Sequence, residues 1–510
     1  MSVLSIYITF WKGLDLRTKS IESEFLLKLK ISHKLVIIIF CLLWEMPIGI
    51  AQDTSLAPAK SNTVDTPERV KVNNIFIIGN EKTQKNIILR ELDFTTDFYY
   101  DWATFLEIIE ADRKKIYNLR LFTSVEITPL ITGEEEVEVL IAVKERWYIL
   151  PSVIFQLADR NFSEWWTNQN RDFSRVNYGL RLSHSNVGGR NEKLKFAGQL
   201  GFTKALDLQY SKPYIDKKQK HGLAMQVTYF EQKNIPLKSS NNKQVFYTNE
   251  TEDVLRRNIG LAMRYTYRRT FYNFHFLTLG YSNTKVHPDV LIQNPEYFQH
   301  GDNKLRYLYA TYSFRHDRRD NVSYATDGEL LQISATKYGL FYTKELDEVE
   351  VNLTANKYFK FNEKFHFVTG LTANWFLSIS QPYTLVRGIG YSPNFIRGYE
   401  LNVIEGQQLY VHKNSFRWKF VDYDIDISSL VPLDQFSTIP IRLYLSANFD
   451  HGYVKDRNFK PENANLTNQY LFGYGLGIDF VGLYDNAIRF EYSFNNNGGA
   501  NFFLNFKAPF

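Results

Sequence analysis

From Phe472 to Phe480 the chain alternates without a break. Phe472, Tyr474, Leu476, Ile478 and Phe480 are large and apolar, while Gly473, Gly475, Gly477 and Asp479 between them are small or acidic. Successive side chains of a strand point to opposite faces, so this segment has one apolar and one polar face. The next segment repeats the pattern, with Ile488, Phe490 and Tyr492 set against Arg489, Glu491 and Ser493. Aromatic-rich alternation of this kind is what a strand needs when lipid covers one side and a polar lumen the other. Composition agrees: aromatics are 16% of the chain, with 40 Phe and 33 Tyr, yet mean hydropathy is only −0.32. Spanning helices are excluded by length, since the longest uncharged apolar run, Leu35 to Trp44, is about ten residues where a helix needs roughly twenty.

That run has a different reading. Lys28, Lys30 and Lys34 precede it, and Gly49-Ile50-Ala51 follows with small residues. Cationic flank, short apolar core and small cleavage site make residues 1–51 a signal peptide, cut after Ala51. Cys41, the single cysteine, lies inside it, so the mature chain is expected to carry no thiol, in keeping with export to an oxidising compartment. The polar stretch 52–68, with Pro58 and Pro67, reads as a linker. A net charge of +5 over this length gives no nucleic-acid footprint.

Residues 69–147 read as a small α+β domain. Val70 to Ile78 is a strand ending at Gly79-Asn80. Thr83 is placed to cap a helix running to Leu92, with Ile87, Ile88 and Leu92 on one face. Phe105, Ile108, Ile109 and Ile116 recur at helical spacing, and two strands follow, Phe122 to Leu130 and Val137 to Val143. The order is β-α-α-β-β with a three-stranded sheet. Together with Gly79-Asn80-Glu81-Lys82-Thr83 and Leu119-Arg120-Leu121-Phe122-Thr123-Ser124-Val125, this resembles a POTRA domain. Its exposed sheet edges would accept an extended peptide through main-chain hydrogen bonds, without reading its sequence.

Residues 148–510 then form an antiparallel transmembrane β-barrel of about sixteen strands. Candidate strands begin near 149, 176, 192, 204, 222, 256, 270, 304, 328, 347, 364, 407, 440, 468, 484 and 500. Outer-membrane barrels have short periplasmic turns and long outer loops. With both barrel ends periplasmic, the long links after the fifth, seventh, eleventh and thirteenth strands fall outside, and the short turns at Arg268-Arg269, Asn362-Glu363 and Leu483-Tyr484-Asp485 inside. The link from Val421 to Ile439 is longer than this rule expects.

Ile396-Arg397-Gly398-Tyr399 falls in the outer link between the eleventh and twelfth strands. In the thirteenth, Ile441, Leu443, Leu445, Ala447 and Phe449 face lipid, so Arg442, Tyr444, Ser446, Asn448 and Asp450 face the lumen. His451, beside Asp450, then points to the lipid face or the mouth. The arginine loop, the Phe449-Asp450-His451-Gly452-Tyr453-Val454 strand, the turn containing Asn186 and Gly188, and the turn with Asp317, Arg319 and Asp320 occur in an order and on membrane sides that resemble the BamA/TamA family. Ala325 stands where that family's second turn usually has proline. The C-terminal strand, with Phe502, Phe506 and Phe510, resembles the aromatic-ended signal by which outer-membrane barrels are recognised for insertion.

The resemblance implies a latch: Arg397, Gly398 and Tyr399 fold back into the barrel, and Arg397 pairs with Asp450 beside Gly452. It also implies a protein of the cell outer membrane, its POTRA domain in the periplasm, that inserts β-barrel precursors or passes polypeptides across the membrane. The implied partners are the lipid bilayer, unfolded outer-membrane or secreted polypeptides, and accessory lipoproteins or periplasmic chaperones, with no cofactor, metal or nucleic acid. The chain has no Gly-x-Ser-x-Gly elbow, Gly-Lys phosphate loop or His-Glu-x-x-His zinc motif, so no enzymatic activity is expected. Two other readings remain: a passive or two-partner-secretion-type channel, and an outer-membrane barrel enzyme.

Overall fold

The computed structural model describes residues 67–506 except 160–161, 252, 300, 342–344, 380, 430–436, 459–464 and 484–486. The expected signal peptide, all but the last residues of the linker, and Phe510 lie outside the described residues.

The small domain comprises β1 (Arg69–Ile78), α1 (Lys85–Leu89), β2 (Tyr99–Asp101), α2 (Trp102–Tyr117), β3 (Phe122–Ile131) and β4 (Glu136–Glu145). Val70 and Val72 from β1, Val137, Val139 and Ile141 from β4, Ile87 and Ile88 from α1, and Phe105 and Ile116 from α2 make its core. The sheet has four strands in the order β2-β1-β4-β3, one more than the sequence suggests. The added strand is too short to show alternation and pairs only with Arg69, Val70 and Lys71. Asp101 closes it and caps α2, accepting from the Thr104 amide at 3.1 Å. Thr83 does not cap α1, whose N-cap is Gln84. The Thr83 hydroxyl is used instead by Tyr148 Oη at 2.8 Å and Asn186 Nδ2 at 3.0 Å.

The rest of the chain contains β5 (Ile149–Leu157), α3 (Phe162–Thr167), β6 (Val176–Val187), β7 (Glu192–Gly201), β8 (Thr203–Lys212), β9 (His221–Gln232), a hairpin of β10 (Ile235–Ser240) and β11 (Lys243–Tyr247), β12 (Arg256–Arg268), β13 (Asn273–Val286), α4 (Pro288–Gln293), β14 (Lys304–Asp317), β15 (Gly328–Tyr338), β16 (Glu348–Lys360), β17 (Phe365–Phe376), a short ribbon of β18 (Arg387–Ile389) and β19 (Ile404–Gly406), β20 (Gln408–Asp426), β21 (Thr438–Lys455), β22 (Tyr470–Val481), β23 (Ala487–Asn495) and β24 (Ala500–Phe506). Leaving out the hairpin and the ribbon, β5 to β24 form one 16-stranded antiparallel meander. The largest departures from the expected starts are Asn273 against 270 and Ala487 against 484.

The presumed link from Val421 to Ile439 is strand at both ends: β20 runs to Asp426 and β21 starts at Thr438, with a bulge between Lys419 and Val421. Asp422 and Asp424 are ladder residues that engage Arg442, at 2.6 and 2.5 Å.

Faces follow the alternation. Leu476 is 63% exposed on the outside, whereas Asp479 and Ser493 on the inside are fully buried. The ladder is not closed: among the described residues β24 pairs with β23, β5 pairs with β6, and no ladder joins β24 to β5. At the end away from the small domain, the β10–β11 hairpin, α4 and neighbouring loops share an apolar cluster that includes Ile235, Leu237, Val290, Tyr297 and Leu346.

Candidate functional site

The loop between β17 and β20 turns into the lumen, and Arg397 is its inward tip. Nη1 of Arg397 lies 2.6 Å from Asp450 Oδ1 on β21, and Nε lies 2.6 Å from Glu491 Oε1 on β23. The Arg397 amide also donates to Asp450 Oδ2 at 3.4 Å. One planar guanidinium thus spans two strands, which a point-charge ammonium could not do. Glu491 is further fixed by the Ser493 hydroxyl at 2.8 Å. Sequence reasoning put Glu491 on the polar face but did not join it to Arg397, because alternation tells which face a residue takes and not which residue of a distant loop will reach it.

Glycines make room for the loop. A Cβ on Gly473 would sit 1.7 Å from the Arg397 carbonyl oxygen, and one on Gly452 would sit 2.5 Å from the Tyr410 carbonyl and 2.6 Å from Ile396 Cδ1. Gly398 has φ +80, a left-handed conformation costly for any residue with a Cβ, and its carbonyl accepts from Asn495 Nδ2 at 2.6 Å. Ile396 and Tyr399 are buried with Ile389, Ile404, Leu409, Val411 and Val454, and Tyr399 Oη meets Asn496. The loop is therefore seated by apolar burial and held by charge.

The adjoining pair is Arg489 with Asp479, joined through two contacts of 2.6 Å. Tyr324 donates to Asp479 Oδ2 at 2.7 Å, and the Arg417 guanidinium lies 4.8 Å above the Tyr324 ring. Tyr324 belongs to the turn between β14 and β15. In that turn Asp317 and Arg319 form a fork at 2.8 and 2.7 Å, and Asp320 accepts from the amides of Thr326 and Asp327 at 3.0 and 3.1 Å. The motif residues shape a turn that sends a tyrosine into the lumen. Ala325, at the position of the usual proline, is buried and offers its carbonyl to Arg417 at 3.4 Å.

The two turn motifs also seat the small domain. Asn186 donates to Thr83, and Gly188 and Gly189 accept from Gln84 Nε2 at 3.1 Å and the Gln84 amide at 3.0 Å. Asn118, just after α2, donates to the Arg319 carbonyl at 3.0 Å and accepts from the Val322 amide at 3.2 Å. Glu91 clasps Arg268 at 2.7 and 2.6 Å, and the Lys115 ammonium stands 3.8 Å over the Phe271 ring. Glu91 is 1% exposed. Its replacement by alanine strands the largely buried Arg268, a change expected to cost about 3 kcal/mol at this contact, read as faster protease cleavage between the small domain and β5.

Lys115 also touches Asp112, at 2.5 Å. Burial raises the Asp112 carboxyl to about 6 against the opposing pull of Lys115. A folded value above the unfolded one means that this stabilisation is full below about pH 4 and disappears as pH rises through 6. Asp112→Asn should therefore flatten the fall in α2 stability between pH 4 and 7, measured by urea-dependent proteolysis of the full-length chain.

The remaining sequence-selected residues lie elsewhere. Phe502 is outward on β24 and about half exposed, and Phe506 occupies the last rung opposite Ile488. His451 is on the outer face, its Nε2 2.8 Å from His412 Nδ1. Among the described residues no group of three or more His, Cys, Asp or Glu is placed to hold a metal.

A sixteen-strand barrel with an inward arginine loop and a small α+β domain on its turns defines the class. The Omp85 superfamily domain matches residues 186–498, and the chain belongs to that superfamily. CdiB from Escherichia coli shares the fold, at 13% identity and a TM-score of 0.50 over 85% of this chain and 75% of that one. BamA from Haemophilus ducreyi lacking POTRA domains 1–3 is also similar, at 13% identity and a TM-score of 0.48 over 85% of this chain and 83% of that one. A search of curated proteins returned no match. The protein is thus an outer-membrane protein of a superfamily that inserts or translocates polypeptides there.

Proposed function

We propose that this protein inserts β-barrel precursors into the outer membrane, with its POTRA domain in the periplasm and the β5–β24 seam as the place of client entry. The observation that carries the reading is that, among the described residues, no ladder joins β24 to β5. Backbone donors and acceptors left unpaired in lipid are costly, and an incoming strand satisfies them. No catalytic step, nucleotide or metal enters this scheme; the free energy comes from burying and pairing the client.

The POTRA sheet supports a first contact at β1. On one side β2 covers only Arg69 to Lys71, Val72 exchanges hydrogen bonds with Asp97 and Phe98, and beyond it that edge has no ladder partner among the described residues. Phe76 and Ile78 are exposed there. The opposite edge, β3, contains Pro129, which lacks the amide a ladder needs. Client strands, delivered with or without accessory lipoproteins or chaperones, therefore add to β1. A passive channel is disfavoured because the Arg397 loop occupies the lumen and interlocked loops cover its far end.

Depleting the protein and quantifying the outer-membrane proteome tests the proposal. Loss of several other barrels is expected. Loss of one secreted product with all other barrels unchanged would replace insertion by dedicated translocation.

A further inference from the structure

The lumen has two unlike walls. On the side of β20 to β23, the cations Arg397 and Arg489 are matched by Asp450, Glu491 and Asp479. On the side of β6 to β14, Arg268 is taken by Glu91, but five further cations are not matched among the described residues. Leu180, Leu194 and Phe196 face outward and are exposed, so Arg181, Lys193 and Lys195 face inward by alternation. The registers place Arg264 and Arg315 on the same inner face. Among the described residues these five cations form no ion pair with a carboxylate.

Two inward acids of the same strands are already engaged. Asp207 accepts from Gln226 at 2.6 Å, and Asp317 is held in the fork with Arg319. The charges acting on Lys193 are those of Lys195, Arg120 and Arg315, all of its own sign. Arg315 lies 4.8 Å from the Phe274 ring and 5.1 Å from the Phe276 ring, and its buried Nε makes no hydrogen bond. Lys193 and Arg315 border a cavity of about 940 Å³, closed on its other side by α2 of the POTRA domain. Like charges held close together repel one another, and the arrangement is relieved when an anion enters.

We infer that this wall receives acidic stretches of the polypeptide being handled, entering between the POTRA domain and the barrel and meeting Lys193 and Arg315 first. The inference rests on the polypeptide-handling role proposed above. A polypeptide fits better than a lipid headgroup because the cations line the lumen and not the lipid face. They also continue inward through Lys195, Arg181 and Arg264, a path suited to an extended chain.

The test uses the mature full-length protein in a neutral detergent and two unfolded labelled peptides of equal length and apolar content, one rich in Asp and Glu, the other in Lys. Fluorescence anisotropy should show the acidic peptide binding about tenfold tighter, with the preference fading as salt rises from about 0.05 to 0.3 M. Lys193→Gln with Arg315→Gln should remove most of that preference, and Lys193→Glu with Arg315→Glu should reverse it. In each variant heat-modifiable migration and binding of a neutral peptide should be retained. Equal binding of the two peptides by wild type, or a preference untouched by these variants, would overturn the inference. So would wild-type binding of phosphatidylglycerol vesicles that the same substitutions abolish, without any preference for the acidic peptide. Depletion that still removes other barrels, beside a failed peptide test, would reject the acidic wall and leave the insertase reading standing.

Discussion

Arg397→Ala lowers the temperature at which the folded barrel loses its heat-resistant, fast-migrating form, and exposes the loop between β17 and β20 to added protease. The magnitude follows from burial. An exposed ion pair contributes about 0–1 kcal/mol, but the Arg397 side chain is 8% exposed and its partners Asp450 and Glu491 are 1% and 3% exposed. Removing the guanidinium leaves two buried carboxylates without the cation that bridges them, a loss of about 3–5 kcal/mol. Arg397→Lys should fall between, because an ammonium keeps the charge and cannot hold both strands in the same geometry. Adding Asp450→Asn and Glu491→Gln to Arg397→Ala should recover part of the loss, since no buried charge then lacks a partner. If Arg397→Ala alone melts like wild type, the loop is not held by this charge cluster.

Gly473→Ala reaches the same state from the opposite wall. The added methyl would stand 1.7 Å from the Arg397 carbonyl oxygen and 2.9 Å from that of Phe494, separations that no side-chain adjustment relieves because the clashing atoms are backbone. Overpacking of this kind costs about 1–3 kcal/mol when neighbours yield, and more when they do not. Here the loop is the part that yields. Gly473→Ala should increase ion conductance in planar bilayers and loop cleavage, and in combination with Arg397→Ala should add little, since an unseated loop is not unseated twice. Full additivity would mean that the two changes act on separate features.

Much of the architecture was legible because membrane strands carry a period of two that survives any loop. The Phe472 to Phe480 segment assigns its inner and outer faces unaided, and the same count places Asp450 inward and the arginine loop opposite the POTRA end. What alternation cannot supply is register between elements far apart. Glu491 was visible as an inward acid, but only the seating of the loop brings it to Arg397. Tyr324 gave no signal, since a tyrosine in a turn has no period to betray that it reaches Asp479. The role of Thr83 was misjudged for a related reason: a threonine before a helix suggests a cap, and only the fold sets Asn186 and Tyr148 beside its hydroxyl. β2 is three residues long, too few to alternate. The charged wall of Lys193 and Arg315 was also out of reach, because the sequence scatters those cations over strands that only the folded sheet brings together.

The proposed insertion depends most on the seam. One cysteine placed on β5 and one on β24, in a chain that has no cysteine of its own after Ala51, would lock the seam on oxidation and free it on reduction. The account predicts that oxidised protein in liposomes stops inserting an unfolded barrel client and that reduction restores insertion, with either single cysteine variant unaffected. Full client insertion by protein whose seam is covalently closed would contradict it.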